Sequence, residues 1–228
     1  MNKTRYQFGK PQNQQSGMKI KHKRFFWIFL SIVLLAAIGI LLSWYYNLGS
    51  FAEEEVSGLS DQHIRISETK QSTPSSLLFS DYESYEMNYE GRAVELRLDY
   101  YEFENKTASI GFAGLSSSGK SDYNGLITWG ILPDDSVDSD FGTLKAKFLL
   151  SGKGTSNTEN LTDLFSSFNH SMTMYSEIEG PTEISSGESI PLRIWSSNRI
   201  SFTNFEDYLK PENMTNQEGL AVLYLDLK

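Results

Sequence analysis

The chain has 228 residues, no cysteine and a formal net charge of −9, from 20 basic and 29 acidic residues. The absence of cysteine excludes disulfide bonds, cysteine-ligated metal sites and a lipoprotein anchor. The acidic surplus argues against nucleic-acid binding, because phosphate backbones require basic surfaces.

The first 24 residues predict a disordered, basic tail. They contain seven lysines and arginines and no acidic residue, and they are rich in Gln, Asn and Gly. A segment of this composition buries too little apolar surface to fold. By the positive-inside rule, such a tail stays in the cytoplasm.

Residues 25–46 predict a transmembrane helix. The stretch has no charged side chain and ends in the aromatic residues Trp44, Tyr45 and Tyr46, which suit a membrane interface. At 1.5 Å per residue the helix reaches about 33 Å, enough for a hydrocarbon core of ~30 Å. This length favours a permanent single-pass signal-anchor over a signal peptide cleaved after Ala52.

The chain beyond this span is predicted to lie outside the plasma membrane. It holds 13 basic and 29 acidic residues, a formal charge of −16. We favour solubility as the reason for this charge over recognition of a cationic partner. Residues 47–76 predict a polar stalk with one ordered piece at HIRI. Residues 77–228 predict a single domain, long enough to form a core without disulfide bonds.

Alternation of apolar and polar residues predicts strands along this domain. Two short helices are also predicted, one in NLTDLFSSF behind an Asn160 cap and one in TNFEDYLKPE, with a Thr203/Glu206 capping box and a stop at Pro211. The pattern indicates a mainly β fold, either an antiparallel β-sandwich or a related α+β domain. The predicted strands are RAVELRLDY, TASIGFAG, GLITWGIL, GTLKAKFLL, SMTMYSEIE, SIPLRIWS and LAVLYLDLK.

The stretch GLSSSGKS, Gly114 to Ser121, matches the P-loop pattern of nucleotide-binding proteins. A P-loop leads directly into a helix whose amide groups bind phosphate. Here the next residues, DYNGLITWGIL, combine an Asn-Gly turn signal with strand-forming residues. We therefore predict a mobile loop between two strands and no nucleotide binding, although Asp226 in VLYLD imitates the acidic motif that would hold magnesium.

Four aspartates in PDDSVDSDFG form the candidate metal site, with Ca²⁺ as the candidate ion. The spacing does not fit an EF-hand, and an acidic, solvated turn is the favoured interpretation. No other cofactor and no catalytic residue is predicted, since His170, the domain's single histidine, has no nucleophile motif beside it. The candidate ligands are Asp134, Asp135, Asp138 and Asp140.

Five tyrosines form the candidate ligand-binding surface. They alternate with acidic residues in SDYESYEMNYE and LDYYEFEN. Aromatic rings of this kind stack on sugars or form protein interfaces, and packing in the core is the commoner alternative. The candidates are Tyr82, Tyr85, Tyr89, Tyr100 and Tyr101.

Together these features predict a membrane-anchored, non-enzymatic binding or assembly module, whose partner is a protein or a cell-envelope glycan. The absence of cysteine favours the cell surface of a bacterium with a single membrane. The alternative is a membrane-anchored carbohydrate-active enzyme or carbohydrate-binding protein that uses the clustered carboxylates and tyrosines.

Overall fold

The computed structural model describes residues 16–46, 48, 56–67, 79–134, 139–161, 172–197, 202, 204–215 and 218–228. The chain separates into two compact units, Met1–Trp44 and Tyr45–Lys228. The elements in chain order are α1 Ser16–Tyr45, β1 His63–Ile66, β2 Asp81–Glu102, β3 Asn105–Asp134, β4 Ser139–Leu150, β5 Lys153–Asn160, β6 Met172–Tyr175, β7 Thr182–Glu183, β8 Ser189–Ser196, α2 Phe205–Tyr208, α3 Pro211–Met214 and β9 Leu220–Leu227.

Helix α1 is long and apolar enough to cross a membrane. The apolar stretch Phe25–Tyr45 has 21 residues, and apolar side chains lie on all sides of the helix rather than in one stripe. The hydroxyl of Ser31 donates to the main-chain oxygen of Trp27 at 2.9 Å, so this polar group is satisfied within the helix. The prediction of one apolar helix near the N-terminus is confirmed.

The second unit is mostly β, and its strands pair in one antiparallel sheet. The main path runs in the order β5-β4-β3-β2-β9-β8-β6, while β1 pairs with both β2 and β7. The long strand β2 has β3 along one edge. Its other edge is shared, with β1 on its first half and β9 on its second half.

The ribbon formed by β2 and β3 is interrupted near its middle. Gly91 pairs with Ser121 and Ala93 pairs with Ser116, so residues 117–120 of β3 have no partner on β2. A Cβ atom on Gly91 would overlap the hydroxyl of Tyr89, which explains why glycine stands at this point. The two halves of the ribbon therefore join through an irregular segment that allows a change of direction.

This change of direction brings distant rows of the sheet together. The row containing Trp129 crosses β2 at Glu83, and the row containing Trp195 crosses it at Tyr100. Along a straight strand those rows would lie about 56 Å apart, at ~3.3 Å per residue. The two indole rings are instead 5.9 Å apart in an edge-to-face contact. The sheet therefore bends back, and its concave side encloses the main core.

Strand β9 is buried along its whole length. Leu223 and Leu225 point into the main core, while Val222 and Tyr224 belong to a second apolar cluster with Phe205 of α2. An uninterrupted apolar run is typical of a strand covered on both faces. The two short helices thus supply a cover for the convex side of the sheet.

The seven predicted strand segments all contribute to the sheet, and the mainly β, antiparallel prediction is confirmed. Two segments, TASIGFAG and GLITWGIL, are parts of the single strand β3. Strand β5 was not predicted, because KGTSNTEN has no apolar alternation. The first half of β2 was not predicted either, since its tyrosines were interpreted as a binding surface.

The helix predictions are corrected in detail. The cap of α2 is Asn204, whose side chain accepts a hydrogen bond from Asp207 N at 2.9 Å, rather than Thr203. Pro211 begins α3 instead of only ending a helix. Asn160 ends β5, and residues 162–168 of the other predicted helix lie outside the described residues.

The predicted stalk of residues 47–76 contributes to the folded domain. The piece HIRI is strand β1, which pairs with residues 85–88 of β2. Val56, Leu59 and Ile64 are buried. The domain therefore begins before residue 77 and includes part of the segment that composition alone assigned to a linker.

Candidate functional site

All five candidate tyrosines lie on β2, and the structure does not bring their rings together on one surface. Tyr85, Tyr89 and Tyr100 are buried. Tyr85 donates its hydroxyl to the buried carboxylate of Glu83 at 2.5 Å. Burial, reinforced by the charge of Glu83, raises the pKa of the Tyr85 phenol well above its ordinary value. These three side chains serve the interior of the domain.

Tyr101 and Tyr82 are the partly exposed members of the set, at opposite ends of β2. Tyr101 packs against the second apolar cluster, and the ammonium of Lys106 lies 5.5 Å from its ring centre. Tyr82 lines a pocket of about 370 Å³, a size within the usual range for ligand sites. Tyr82 is therefore the candidate that the structure places in a concave site.

We call this site the Tyr82 pocket. It lies where the first half of β2, the second half of β3, and strands β4 and β5 run side by side. One row across these strands is Tyr82, Gly130, Lys145 and Thr158. The complete lining is Phe79, Tyr82, Thr128, Trp129, Gly130, Lys145, Ala146, Lys147, Ser156, Asn157 and Thr158.

Two aromatic rings form one wall of the Tyr82 pocket. The centres of Phe79 and Tyr82 are 6.5 Å apart, with their planes inclined by 40°. A Cβ atom on Gly130 would lie 2.7 Å from the ring of Phe79. Glycine at position 130 thus lets the Phe79 ring rest directly on the sheet, which fixes the wall of the pocket.

Two lysines carry the charge of the Tyr82 pocket. Lys145 and Lys147 are exposed and alternate with buried Leu144, Ala146 and Phe148 on β4. Within the described parts of the chain, no carboxylate lies within ion-pair distance of either ammonium group. By contrast, the ammonium of Lys106 lies 2.7 Å from Asp99, and that of Lys228 lies 2.6 Å from Glu95. The pocket is therefore locally positive on an acidic domain.

A second cleft, of about 570 Å³, lies between the first half of β3 and strand β5. Its floor includes Gly114, and one end holds the ion pair of Glu95 and Lys228. The side-chain amide of Asn157 donates to the main-chain oxygen of Phe112, which ties the two strands together. The carboxylate in this cleft is already paired, so we do not assign a chemical role to it.

The P-loop-like stretch lies inside β3, and its residues form no helix. A Cβ atom on Gly114 would lie 2.7 Å from the main-chain oxygen of Val94, so this glycine permits close contact with β2. Lys120 is 72% exposed and lies 3.9 Å from Glu90. The predicted loop between two strands is therefore corrected to a four-residue irregularity within one strand. The strand, turn and helix of a phosphate cradle are not formed here.

Asp226, which matches the magnesium-binding acidic motif of nucleotide-binding proteins in sequence, belongs to an ionic cluster on β2 and β9. Arg97 donates to both of its oxygens, at 2.6 and 3.0 Å, and also pairs with Asp99. Burial alone would raise the pKa of Asp99, but hydrogen bonds from Arg97, Lys106 and Ser109 outweigh it and hold that pKa below its ordinary value. For Asp226, too, hydrogen bonds led by Arg97 outweigh burial and lower the pKa.

This ionic cluster does not suit paired-carboxylate catalysis. A glycosidase needs one carboxylic acid whose pKa is raised, so that it can protonate the leaving group. Both Asp99 and Asp226 have lowered pKa values and both are bound to the same guanidinium. We conclude that the cluster stabilises the pairing of β2 with β9.

The candidate calcium site lies largely outside the described residues. Asp134 ends β3 and Asp140 follows the start of β4, with their strands paired at Asp134 and Ser139. Asp135 and Asp138 fall between them, in a segment that lies outside the described residues. His170 also lies outside the described residues. Among the described residues, no group of three His, Asp or Glu side chains is placed to hold a metal ion. The calcium site stays a prediction.

Comparison with known proteins identifies no matching family, no matching characterised protein and no matching solved structure. The function of this chain must therefore be inferred from its own residues. Sequence reasoning found Tyr82 but missed Phe79, Gly130 and the two lysines of β4. The alternation in GTLKAKFLL did indicate that both lysines lie on the solvent-exposed face of a strand. Their proximity to Tyr82, however, depends on the register of β2, β3 and β4.

Proposed function

We propose that this chain is a single-pass membrane protein of a bacterial cell surface and that it is a binding or assembly module rather than an enzyme. Its basic tail lies in the cytoplasm, and its β-rich domain, a two-layered sandwich, lies outside. The partner is a protein or a cell-envelope glycan, and the Tyr82 pocket is the contact. The observation that carries the proposal is the combination in this pocket of two aromatic rings with two ammonium groups that have no carboxylate partner among the described residues.

Charge asymmetry supports the orientation. All charged residues among the 24 that precede the apolar stretch are basic, and the chain beyond that stretch carries a formal charge of −16. Basic flanks are retained on the cytoplasmic side. The edge-to-face contact of Trp129 with Trp195 supports the sandwich, because it joins rows from the two ends of β2.

The character of the Tyr82 pocket supports binding over catalysis. Its lining, as far as the structure describes the chain, provides aromatic rings, ammonium groups, hydroxyls and an amide, and none of these described residues is a carboxylate or a histidine. Such a set fixes a ligand by stacking and charge, whereas glycoside hydrolysis, the enzymatic alternative, requires a pair of carboxyl groups beside the scissile bond.

The orientation is tested by cysteine labelling, since the chain has no cysteine of its own. Ser118→Cys lies on the exposed irregularity of β3 and Thr4→Cys lies in the tail. A membrane-impermeant maleimide should label Ser118→Cys in intact cells and label Thr4→Cys only after lysis. Labelling of Thr4→Cys in intact cells would contradict the orientation.

Binding is tested with the full chain in lipid nanodiscs, used to capture envelope proteins and glycans. We expect capture by the parent and by Phe103→Ala, which removes a half-exposed aromatic ring outside the pocket. The double variant Phe79→Ala/Tyr82→Ala should lose capture while remaining folded. Cleavage of a captured glycan, abolished by replacing one Asp or Glu, would instead establish the carbohydrate-active alternative.

A further inference from the structure

Two ammonium groups of the Tyr82 pocket, which have no carboxylate partner in the described part of the chain, indicate the chemical class of the ligand. Lys145 and Lys147 are two residues apart on β4, so they point to the same face with Cα atoms about 7 Å apart. Their flexible stems allow both ammonium groups to reach one anion. The facing strand β3 contributes Thr128, which pairs with Lys147 in the register and whose hydroxyl is hydrogen-bonded to that of Ser84 at 3.0 Å. The two lysines are thus placed to share one negative group.

The number of ammonium groups indicates which anion is favoured. A phosphate monoester carries a charge of about −1.5 to −2 near pH 7, whereas a carboxylate carries a single negative charge. Two lysines that can both reach one anion therefore match a phosphate better than a carboxylate.

The neighbouring groups indicate that the phosphate is carried by a sugar. The rings of Phe79 and Tyr82 offer apolar faces beside the lysines. Ser156 and Thr158 of β5 add hydroxyls on the opposite side of the pocket. Aromatic faces for stacking, with a few hydroxyl donors, match the alternation of apolar and polar surfaces on a sugar ring.

We infer that the Tyr82 pocket binds a phosphate-bearing sugar of an extracellular glycan, an inference that rests on the proposed binding function. The ring of the sugar stacks on Phe79 or Tyr82, and its phosphate lies between Lys145 and Lys147. This arrangement gives a role to two lysines on one face of an acidic domain, for which the structure describes no carboxylate partner. It also explains the glycine at position 130, which seats the aromatic wall close to the lysines.

The experiment measures binding of the full chain, in nanodiscs of uncharged lipid, to phosphomannan, to unphosphorylated mannan and to polygalacturonate. We expect phosphomannan to bind at least tenfold more tightly than either of the others. Inorganic phosphate should compete, and rising salt should weaken binding. The variant Lys145→Gln/Lys147→Gln should lose at least tenfold in affinity. The control Lys120→Gln/Lys153→Gln removes the same charge from exposed positions outside the pocket and should retain it.

Each other outcome overturns the inference in a distinct way. Equal binding of polygalacturonate, or equal loss in the control variant, would show a general response to polyanions. Equal binding of neutral mannan, lost in Tyr82→Ala, would leave glycan binding in place and remove the phosphate. Binding of none of the three, with envelope protein still captured by the parent, would overturn the sugar while the binding function stands. If the chain bound none of the three glycans and also captured no envelope protein, the proposed binding function would be overturned as well.

Discussion

Arg193 of β8 and Asp81 of β2 form an ion pair across the interior of the domain, although the two residues are 112 positions apart in the chain. The side chain of Arg193 is fully buried and lies between the rings of Trp129 and Tyr175, with its Cζ 5.3 and 3.6 Å from the two ring centres. Asp81 also accepts a hydrogen bond from the Trp195 indole at 3.2 Å. The pair therefore joins the two ends of the bent sheet.

Removing only the acid of this pair should destabilise the domain strongly. Asp81→Asn leaves a buried guanidinium without its counter-charge, a change that typically costs about 3–5 kcal/mol of unfolding free energy. Arg193→Met should cost less, because two nitrogens of Arg193, Nε and Nη1, have no hydrogen-bond partner among the described residues, so the substitution loses no hydrogen bond there. Denaturant unfolding followed by circular dichroism measures both.

The matched control is Lys210→Gln, which breaks the solvent-exposed pair with Asp207 and should change stability little. If Arg193→Met lowered the free energy of unfolding as much as Asp81→Asn, the prediction would be contradicted. The ion pair would then add net stability, instead of Asp81 only neutralising the buried charge of Arg193.

Stability should fall at acid pH, with Asp99 as a main contributor. The folded protein holds the pKa of Asp99 below its ordinary value of 3.8. A lowered pKa gives stability that is present above the unfolded value and is lost as pH falls through the folded value. Asp99→Asn should therefore be less stable than the parent by about 2 kcal/mol near pH 7. This difference should shrink below about pH 4, where the unfolded chain takes up the proton. A difference that stayed constant down to pH 2 would contradict the assignment.

The two glycines of the P-loop-like stretch should respond differently to alanine. Gly114→Ala places a Cβ atom 2.7 Å from the main-chain oxygen of Val94 and should cost about 1–3 kcal/mol. Gly119→Ala meets nothing within 4 Å and should be nearly neutral. Thermal unfolding distinguishes the two variants.

A phosphate cradle would give another pattern. Its lysine would be essential for nucleotide binding, and Mg-ATP at 100 times its Kd would stabilise the folded state by about 2.7 kcal/mol. We expect no rise in Tm with millimolar Mg-ATP, in the parent or in Lys120→Ala. A rise in the parent that disappears in Lys120→Ala would restore the nucleotide-binding hypothesis.

The candidate tyrosines should separate into structural and surface residues. Tyr85→Ala removes a fully buried ring and should cost about 3–5 kcal/mol, the usual range for a large aromatic residue. Tyr82→Ala should leave the free energy of unfolding nearly unchanged and lower ligand affinity. Unfolding and binding measured on the same preparations would separate these two effects. A large loss of stability in Tyr82→Ala would show that the Tyr82 ring belongs to the core.

Local patterns were sufficient for most strands but not for the site. The run LAVLYLDL predicted a strand because every residue but one is apolar, and burial on both faces accounts for that composition. In SDYESYEMNYE the alternation was equally clear, yet sequence cannot tell whether the tyrosine face is covered. The core covers Tyr85 and Tyr89, and Tyr82 is on the opposite face near the start of the strand.

Non-local register explains the remaining misses. Strand β5 exists because β4 provides an edge for it, and its own residues give no signal. The Tyr82 pocket needs Gly130 beside Lys145, a pairing fixed by the hairpin of β3 and β4. Within GLSSSGKS, the same glycine spacing serves contact with β2 instead of phosphate, which a pattern match cannot distinguish.

The position of β9 sets an order on how this chain can mature. β9 lies between β2 and β8 in the sheet, and its partners on β2 precede it by 119 to 133 residues in the chain. While the polypeptide emerges from the ribosome, both of those neighbours present open edges, which favour mispairing with other chains. The sheet cannot be completed until this interior strand is available, so the domain finishes folding only after residues 220–227 have been synthesised.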